Sequence, residues 1–168
     1  DNNTLFGYEA GNDISSGDYN TLIGHQAGDR LFGGDNNTVV GQNALGFEYN
    51  GDNNTAIGYD TLPVASGTNH NTTVGRKAGR FLSSGDENLL LGSGAGGSTT
   101  LSESLTSGSN NIIIGYETLP SATAVSNEIT IGNSNHNHLR IPGIGVSFGS
   151  SGEGYFSGIV TASSFRGD

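Results

Sequence analysis

Cysteine, methionine and tryptophan are all missing from these 168 residues, and proline occurs only three times. Without cysteine there is neither a disulfide framework nor thiol chemistry. Positive charge is scarce as well: Lys77 and five arginines stand against 16 acidic residues, a net charge of −10. A phosphate backbone would be repelled, which argues against nucleic acid as a partner. No apolar run approaches about 18 residues, so no helical membrane span is expected. Nor does any segment hold a helical apolar period long enough for an amphipathic helix. Simple disorder is a poor fit too, because only 13% of residues are charged while 32% are apolar. A chain that starts at Asp1 and has no methionine reads as processed or excised from something longer.

What is abundant is glycine, 29 residues, and it is not spaced every third position, which excludes collagen. The segments NTLIG (20–24), NTVVG (37–41), NTAIG (54–58) and NTTVG (71–75) are copies of one another. Their glycines continue a series, Gly7, Gly24, Gly41, Gly58, Gly75 and Gly92, with a constant step of 17 residues. The next step, to Gly115, is 23, and the last, to Gly132, is 17 again. Such self-similarity marks a repeat architecture. Each copy reads as strand, bend, short strand and turn. Seventeen residues per coil, stacked at about 4.8 Å, predict an all-β parallel β-solenoid, or β-roll, over 1–132. The six extra residues after Gly92, with the small, polar run that follows, predict an inserted loop over 96–110. From residue 133 the period breaks, and alternating apolar and small residues predict a C-terminal β neck or cap over 133–168.

The repeat columns carry physical meaning. The residue before each glycine is always apolar and mostly β-branched (Phe6, Ile23, Val40, Ile57, Val74, Leu91, Ile114, Ile131), so it reads as a core column. Three before stand Thr4, Thr21, Thr38, Thr55 and Thr72, on the same strand face, so these threonines are expected to pack inward. Turned outward, they would form a flat ice-binding array. Four before stand Asn3, Asn20, Asn37, Asn54, Asn71, Asn88 and Asn111, which predict an amide ladder between stacked coils. Seven after the glycine lies a looser apolar column with Glu48 as its charged exception. Two short strands per coil enclose little core, and three-fold association would bury more apolar surface.

Several residues are candidates for chemistry. His136-x-His138 on a strand would point both rings to one side, and three copies would offer six imidazole nitrogens to Fe or Ni. The plainer alternative is a wet loop of Asn, Ser and His. Asp18, Asp35, Asp52 and Asp86 share one column, with Asn69 in the fourth copy; they suit either Ca²⁺ or Asx-turn hydrogen bonding. The inserted loop, through Ser98, Thr99, Thr100, Ser102, Glu103 and Ser104, is the expected receptor contact, since loops on rigid scaffolds carry binding. The terminal Arg166-Gly167-Asp168 matches an integrin-type tripeptide, a pattern that also arises by chance. No nucleophile elbow, P-loop or zinc-protease motif is present, so no enzyme or required cofactor is expected.

The copies NTLIGHQAG, NTAIGYDTL and NNIIIGYETL resemble the head repeats of trimeric autotransporter adhesins of the YadA type. They resemble still more the NTAIGYxAL repeats of bacteriophage tail fibres. The period of 17 is longer than the autotransporter repeat. The tail Gly154–Gly167 is similar to the segment preceding an intramolecular chaperone in phage fibres. The resemblance implies a homotrimeric fibre, extracellular or on a virion surface, that attaches to a host or surface receptor such as a glycan. It also implies a cleaved chaperone after residue 168 and supports an axial His-x-His metal. The alternatives are a tailspike-like carbohydrate-degrading enzyme and a calcium- or ice-binding β-roll adhesin.

Overall fold

A computed structural model of the chain describes residues 2–97, 99–136, 138–141, 146–149 and 154–156, the last three stretches as backbone. The chain divides into two compact units, Asp1–Asn133 and Ser134–Asp168. The first is a parallel β-solenoid of eight three-residue strands: β1 (Thr4–Phe6), β2 (Thr21–Ile23), β3 (Thr38–Val40), β4 (Thr55–Ile57), β5 (Thr72–Val74), β6 (Leu89–Leu91), β7 (Ile112–Ile114) and β8 (Ile129–Ile131). They form one sheet in chain order, and every pairing is parallel and in register: Thr4 opposite Thr21, Thr21 opposite Thr38, and so to Ile112 opposite Ile129. The 23-residue step leaves that register intact, Leu89 still facing Ile112. The second unit holds an antiparallel sheet in the order β9 (His138–Ile141), β10 (Val146–Gly149), β11 (Gly154–Phe156).

Each strand ends at a repeat glycine because no other residue fits there. Gly58 has φ +138°, and a β-carbon on it would lie 2.6 Å from the carbonyl oxygen of Gly75 in the next coil. That is well inside contact distance, in a backbone region that L-residues avoid.

The strand face is the reverse of the sequence expectation. On the six inner strands, β2 to β7, the buried residue is the central one: Leu22, Val39, Ala56, Thr73, Leu90 and Ile113 are all fully buried. The column before the glycine faces out, with Phe6 74% and Ile131 56% exposed, and the threonines three before lie on that same outer face. Alternation is as expected, but the assignment of faces is inverted. The reason is volume. The coil interior also holds the fully buried alanines Ala27, Ala44, Ala78 and Ala95, Leu31 and Leu82 from the column seven after the glycine, and Leu105, which takes the same place once the six inserted residues are set aside. Central leucines pack on glycine, a β-carbon on Gly28 lying 2.9 Å from Leu22 of its own coil and one on Gly79 2.9 Å from Leu90 of the next, whereas Val39 shares its coil with buried Leu45. Where the central residue is Ala56, leucine takes the glycine's place, as buried Leu62. Interdigitation of this kind gives crystal-like packing density in a core two side chains wide.

Glu48, the charged exception, is fully buried and still satisfied. Its carboxylate accepts hydrogen bonds from the backbone N–H groups of Asn50 and Gly67 (3.3 and 2.5 Å) and from the Thr68 hydroxyl (3.0 Å). It thereby ties one coil to the turn of the next.

The insertion is shorter than 96–110. Leu105 lies ten residues before Gly115, as Leu82 does before Gly92, and both are fully buried. Thr106 N–H donates to the Thr123 carbonyl and Asn88 Nδ2 to the Gly108 carbonyl, so the coil has resumed by Leu105. The extra residues are 98–103, which include a 3₁₀ turn, η1 (Leu101–Glu103). A β-carbon on Gly97 would lie 2.7 Å from Ser104 Cα, so the two ends of the insertion already touch. Excising 98–103 is therefore expected to shift the melting temperature by less than about 3 °C, under 1 kcal/mol for a chain of this size. Excising 98–105 removes a core leucine and is expected to cost about 2–5 kcal/mol. Paired thermal melts measure both.

Candidate functional site

Two ladders of side-chain amides and carboxylates run along the coil axis in opposite senses. In the first, the backbone N–H of each repeat asparagine donates to the side-chain oxygen of the asparagine one coil before. Asn37 N–H donates to Asn20 Oδ1 and Asn54 N–H to Asn37 Oδ1, each at 2.8 Å. The amide nitrogen donates to the turn carbonyl 14 residues on, Asn20 to Gly34 and Asn54 to Thr68, each at 2.7 Å. Asn3 opens this ladder, and Asn71, Asn88 and Asn111 continue it. Asn20, Asn37, Asn54, Asn71, Asn88 and Asn111 are buried.

In the second ladder the backbone N–H of the earlier coil donates to the side chain of the later one. Asp18 N–H donates to Asp35 Oδ1 (2.7 Å), Asp35 to Asp52 (2.8 Å), Asp52 to Asn69 (3.0 Å) and Asn69 to Asp86 (2.7 Å). Ser109 and Ser126 take over the role in the last coils. A column that accepts asparagine and serine beside aspartate is accounted for by one acceptor per coil. Among the described residues no group of three or more His, Asp or Glu is placed to hold a metal.

The asparagine ladder stops at Glu128, which has no amide hydrogen to pass on. Its carboxylate turns back on its own coil and accepts from the Ser121 hydroxyl, from Ser121 N–H (3.0 Å) and from the Thr130 hydroxyl (2.6 Å). The Ser121 hydroxyl, then that of Thr130, hold its pKa below the usual glutamate range, against a smaller opposing effect of burial. A folded pKa below the unfolded one gives stability that is present above about pH 4.3 and is lost as pH falls through the folded value. Glu128→Gln is therefore expected to melt below wild type at pH 6, with the gap closing toward pH 3. Melts across that range check it. Asp29 is the opposite case. Its Oδ1 is buried without a hydrogen-bond partner, and burial, then the charges of Asp13 and Glu9, raise its pKa despite Arg30.

The expected receptor residues divide. Thr99, Thr100, Ser102 and Glu103 are exposed on the insertion, and Glu103 accepts a hydrogen bond from the Thr100 hydroxyl at 3.0 Å. Ser104 is not presented to a receptor: it is fully buried and its hydroxyl donates to the Thr100 carbonyl. Ser98 lies outside the described residues. So do the side chain of His138, the Arg166-Gly167-Asp168 tripeptide and most of the tail that resembles a pre-chaperone segment. His136 is exposed and stands ahead of β9, which begins at His138. A turn at Ser134 and Asn135 delays the strand.

Sequence reading missed a groove beside the insertion. Val64, Phe81, Ser83, Leu101, Ser102, Thr106 and Thr123 line a volume of about 540 Å³. Its one legible signal was Leu101, a large apolar residue in an otherwise polar insert, 60% exposed. Comparison with known protein families, with curated proteins and with solved structures gives no match.

Proposed function

We propose that the chain is a segment of a structural, adhesive fibre, a viral tail fibre or surface adhesin, in which three copies form a stiff rod that contacts host or surface glycans. The observation that carries this reading is the outer face of the solenoid sheet. Ile23, Ile57, Leu91, Ile112, Ile129 and Ile131 are all exposed on it, in two straight columns that share the face with threonines. Monomeric proteins rarely leave so continuous an apolar stripe in water. A second and third copy of the same flat face would cover it around a three-fold axis. The net charge of −10 keeps the other faces soluble and fits an extracellular or virion-surface rod. Among the described residues no helix is long and apolar enough to cross a membrane. Sedimentation equilibrium is expected to give about three times the 17.2 kDa chain mass, and a stable monomer at micromolar concentration overturns the reading.

The outward threonine column favours one other reading, a face that orders water against ice. It requires a monomer, because association covers the same residues. A freezing-point gap in a nanolitre osmometer, together with a monomeric mass, would replace the fibre by an ice-binding protein. Hydrolysis of an oligosaccharide panel would replace it by a tailspike-like enzyme.

A further inference from the structure

We infer that the groove beside the insertion is a binding site for an uncharged oligosaccharide; this rests on the adhesive reading and names its receptor surface. The argument starts from which hydroxyl protons are already spent. Ser83 Oγ donates to the Thr106 carbonyl and Thr106 Oγ1 donates to the Thr123 carbonyl, each at 3.0 Å. With its proton so held, a hydroxyl has only lone pairs left for a ligand. Two of the groove's hydroxyls are therefore acceptors, and the matching ligand is rich in O–H donors.

The other wall is apolar: Val64, Phe81 and Leu101. Leu101 is held over the groove by η1, and its exposure on a hydroxyl-rich insert has no packing reason within the coil. A ligand that offers donors on one edge and an apolar face on the other is a sugar ring. Charge is absent from the lining, and the charged residues next to it in the chain, Arg80 beside Phe81 and Glu103 beside Ser102, already have partners. Arg80 is paired with Asp60 at 3.1 Å and also lies 5.6 Å from the Phe81 ring, while the Glu103 carboxylate accepts from Thr100. An anionic or cationic sugar finds no partner here. The volume falls within the range of about 300–1,000 Å³ usual for small-ligand sites. The insertion is thus placed to wall a groove whose floor is the solenoid flank, as loops on rigid scaffolds do.

The test is saturation-transfer NMR and calorimetry on the whole chain with three uncharged trisaccharides (maltotriose, cellotriose and the trimer of N-acetylglucosamine), with sialyllactose as the anionic counterpart. At least one uncharged trisaccharide is expected to bind and sialyllactose is not. Phe81→Ala and Leu101→Ser are each expected to weaken binding at least about tenfold. Leu101 is exposed outside the core, so Leu101→Ser keeps the test decisive if Phe81→Ala folds poorly. Binding that both variants leave unchanged overturns the groove while the adhesive reading stands. No binding of any uncharged trisaccharide at millimolar concentration, or a preference for sialyllactose, also overturns it. Neither result alters the sedimentation mass on which the trimeric rod is judged.

Discussion

Asn54→Ala is expected to lower the melting temperature by about 10 °C, corresponding to about 4 kcal/mol for a chain of this length. Asn54 sits mid-ladder and is fully buried. Its Oδ1 accepts from Asn71 N–H at 3.0 Å and Asn71 Nδ2 at 3.3 Å, and its Nδ2 donates to the Thr68 carbonyl at 2.7 Å. Alanine strands the Asn71 backbone donor and removes this donor from the Thr68 carbonyl, both within the coil stack. Each buried polar group left unpaired costs about 1–3 kcal/mol. The cavity left by the amide adds to that sum. Asn54→Asp separates the two halves of the effect, since it keeps the acceptor for Asn71 and loses the donor to Thr68. That loss belongs to the carboxylate, so Asn54→Asp is expected to melt well below wild type at about pH 7 and to regain part of the difference at low pH, where the neutral acid's O–H can donate to the Thr68 carbonyl. A loss under about 2 °C for Asn54→Ala would mean that water replaces the amide and that the ladder contributes little.

What the sequence displayed was whatever repeats by identity. The 17-residue step survives because a β-carbon at Gly24, Gly41, Gly58, Gly75 or Gly92 would strike the backbone of the next coil. The asparagines at 20, 37, 54, 71, 88 and 111 survive because each serves both its neighbour's N–H and a turn carbonyl. What it hid was whatever does not repeat by identity. The buried central column runs Leu22, Val39, Ala56, Thr73, Leu90, Ile113 and looks less apolar than the exposed column beside it. The position six further on varies too, glycine after Leu22, Thr73 and Leu90 and leucine after Val39 and Ala56, so neither column alone announces the core. The inverted face follows from reading one column alone.

The insertion was misjudged for a related reason. Residues 96–110 are small and polar apart from Leu101, Leu105 and Glu103, a composition that masks the point where Leu105 re-enters the core. The groove escaped notice because its parts come from separate coils, Val64, Phe81 and Thr123 being joined only by stacking. Backbone conformation was partly legible. Asn36, Asn53, Asn110 and Asn127 occupy the left-handed region that asparagine tolerates, but Tyr19, His70 and Glu87 hold the same position in their coils without any such preference.

The double substitution Ile57→Asp with Val74→Asp is expected to convert the proposed trimer to a monomer of 17.2 kDa while leaving the coil folded. Ile57 and Val74 are paired across β4 and β5 on the outer face, at the middle of the stripe. Neither side chain contributes to the buried column, which on these strands is Ala56 and Thr73. In a single chain the new carboxylates point into water, so coil stability is expected to change by less than about 1 kcal/mol apart from their mutual repulsion. Around a three-fold axis the same two charges are repeated by each copy and brought together in an apolar interior. Removing an unpaired carboxylate from water costs several kcal/mol per ion, and like charges at short range add to it. No association that depends on this stripe withstands that sum. Sedimentation and circular dichroism read the two halves separately: loss of mass with the β-type spectrum retained, and a melt lowered only by the lost association, places the interface on the outer sheet face. Retention of the trimer mass would move it to another flank and leave the threonine and isoleucine columns open to water.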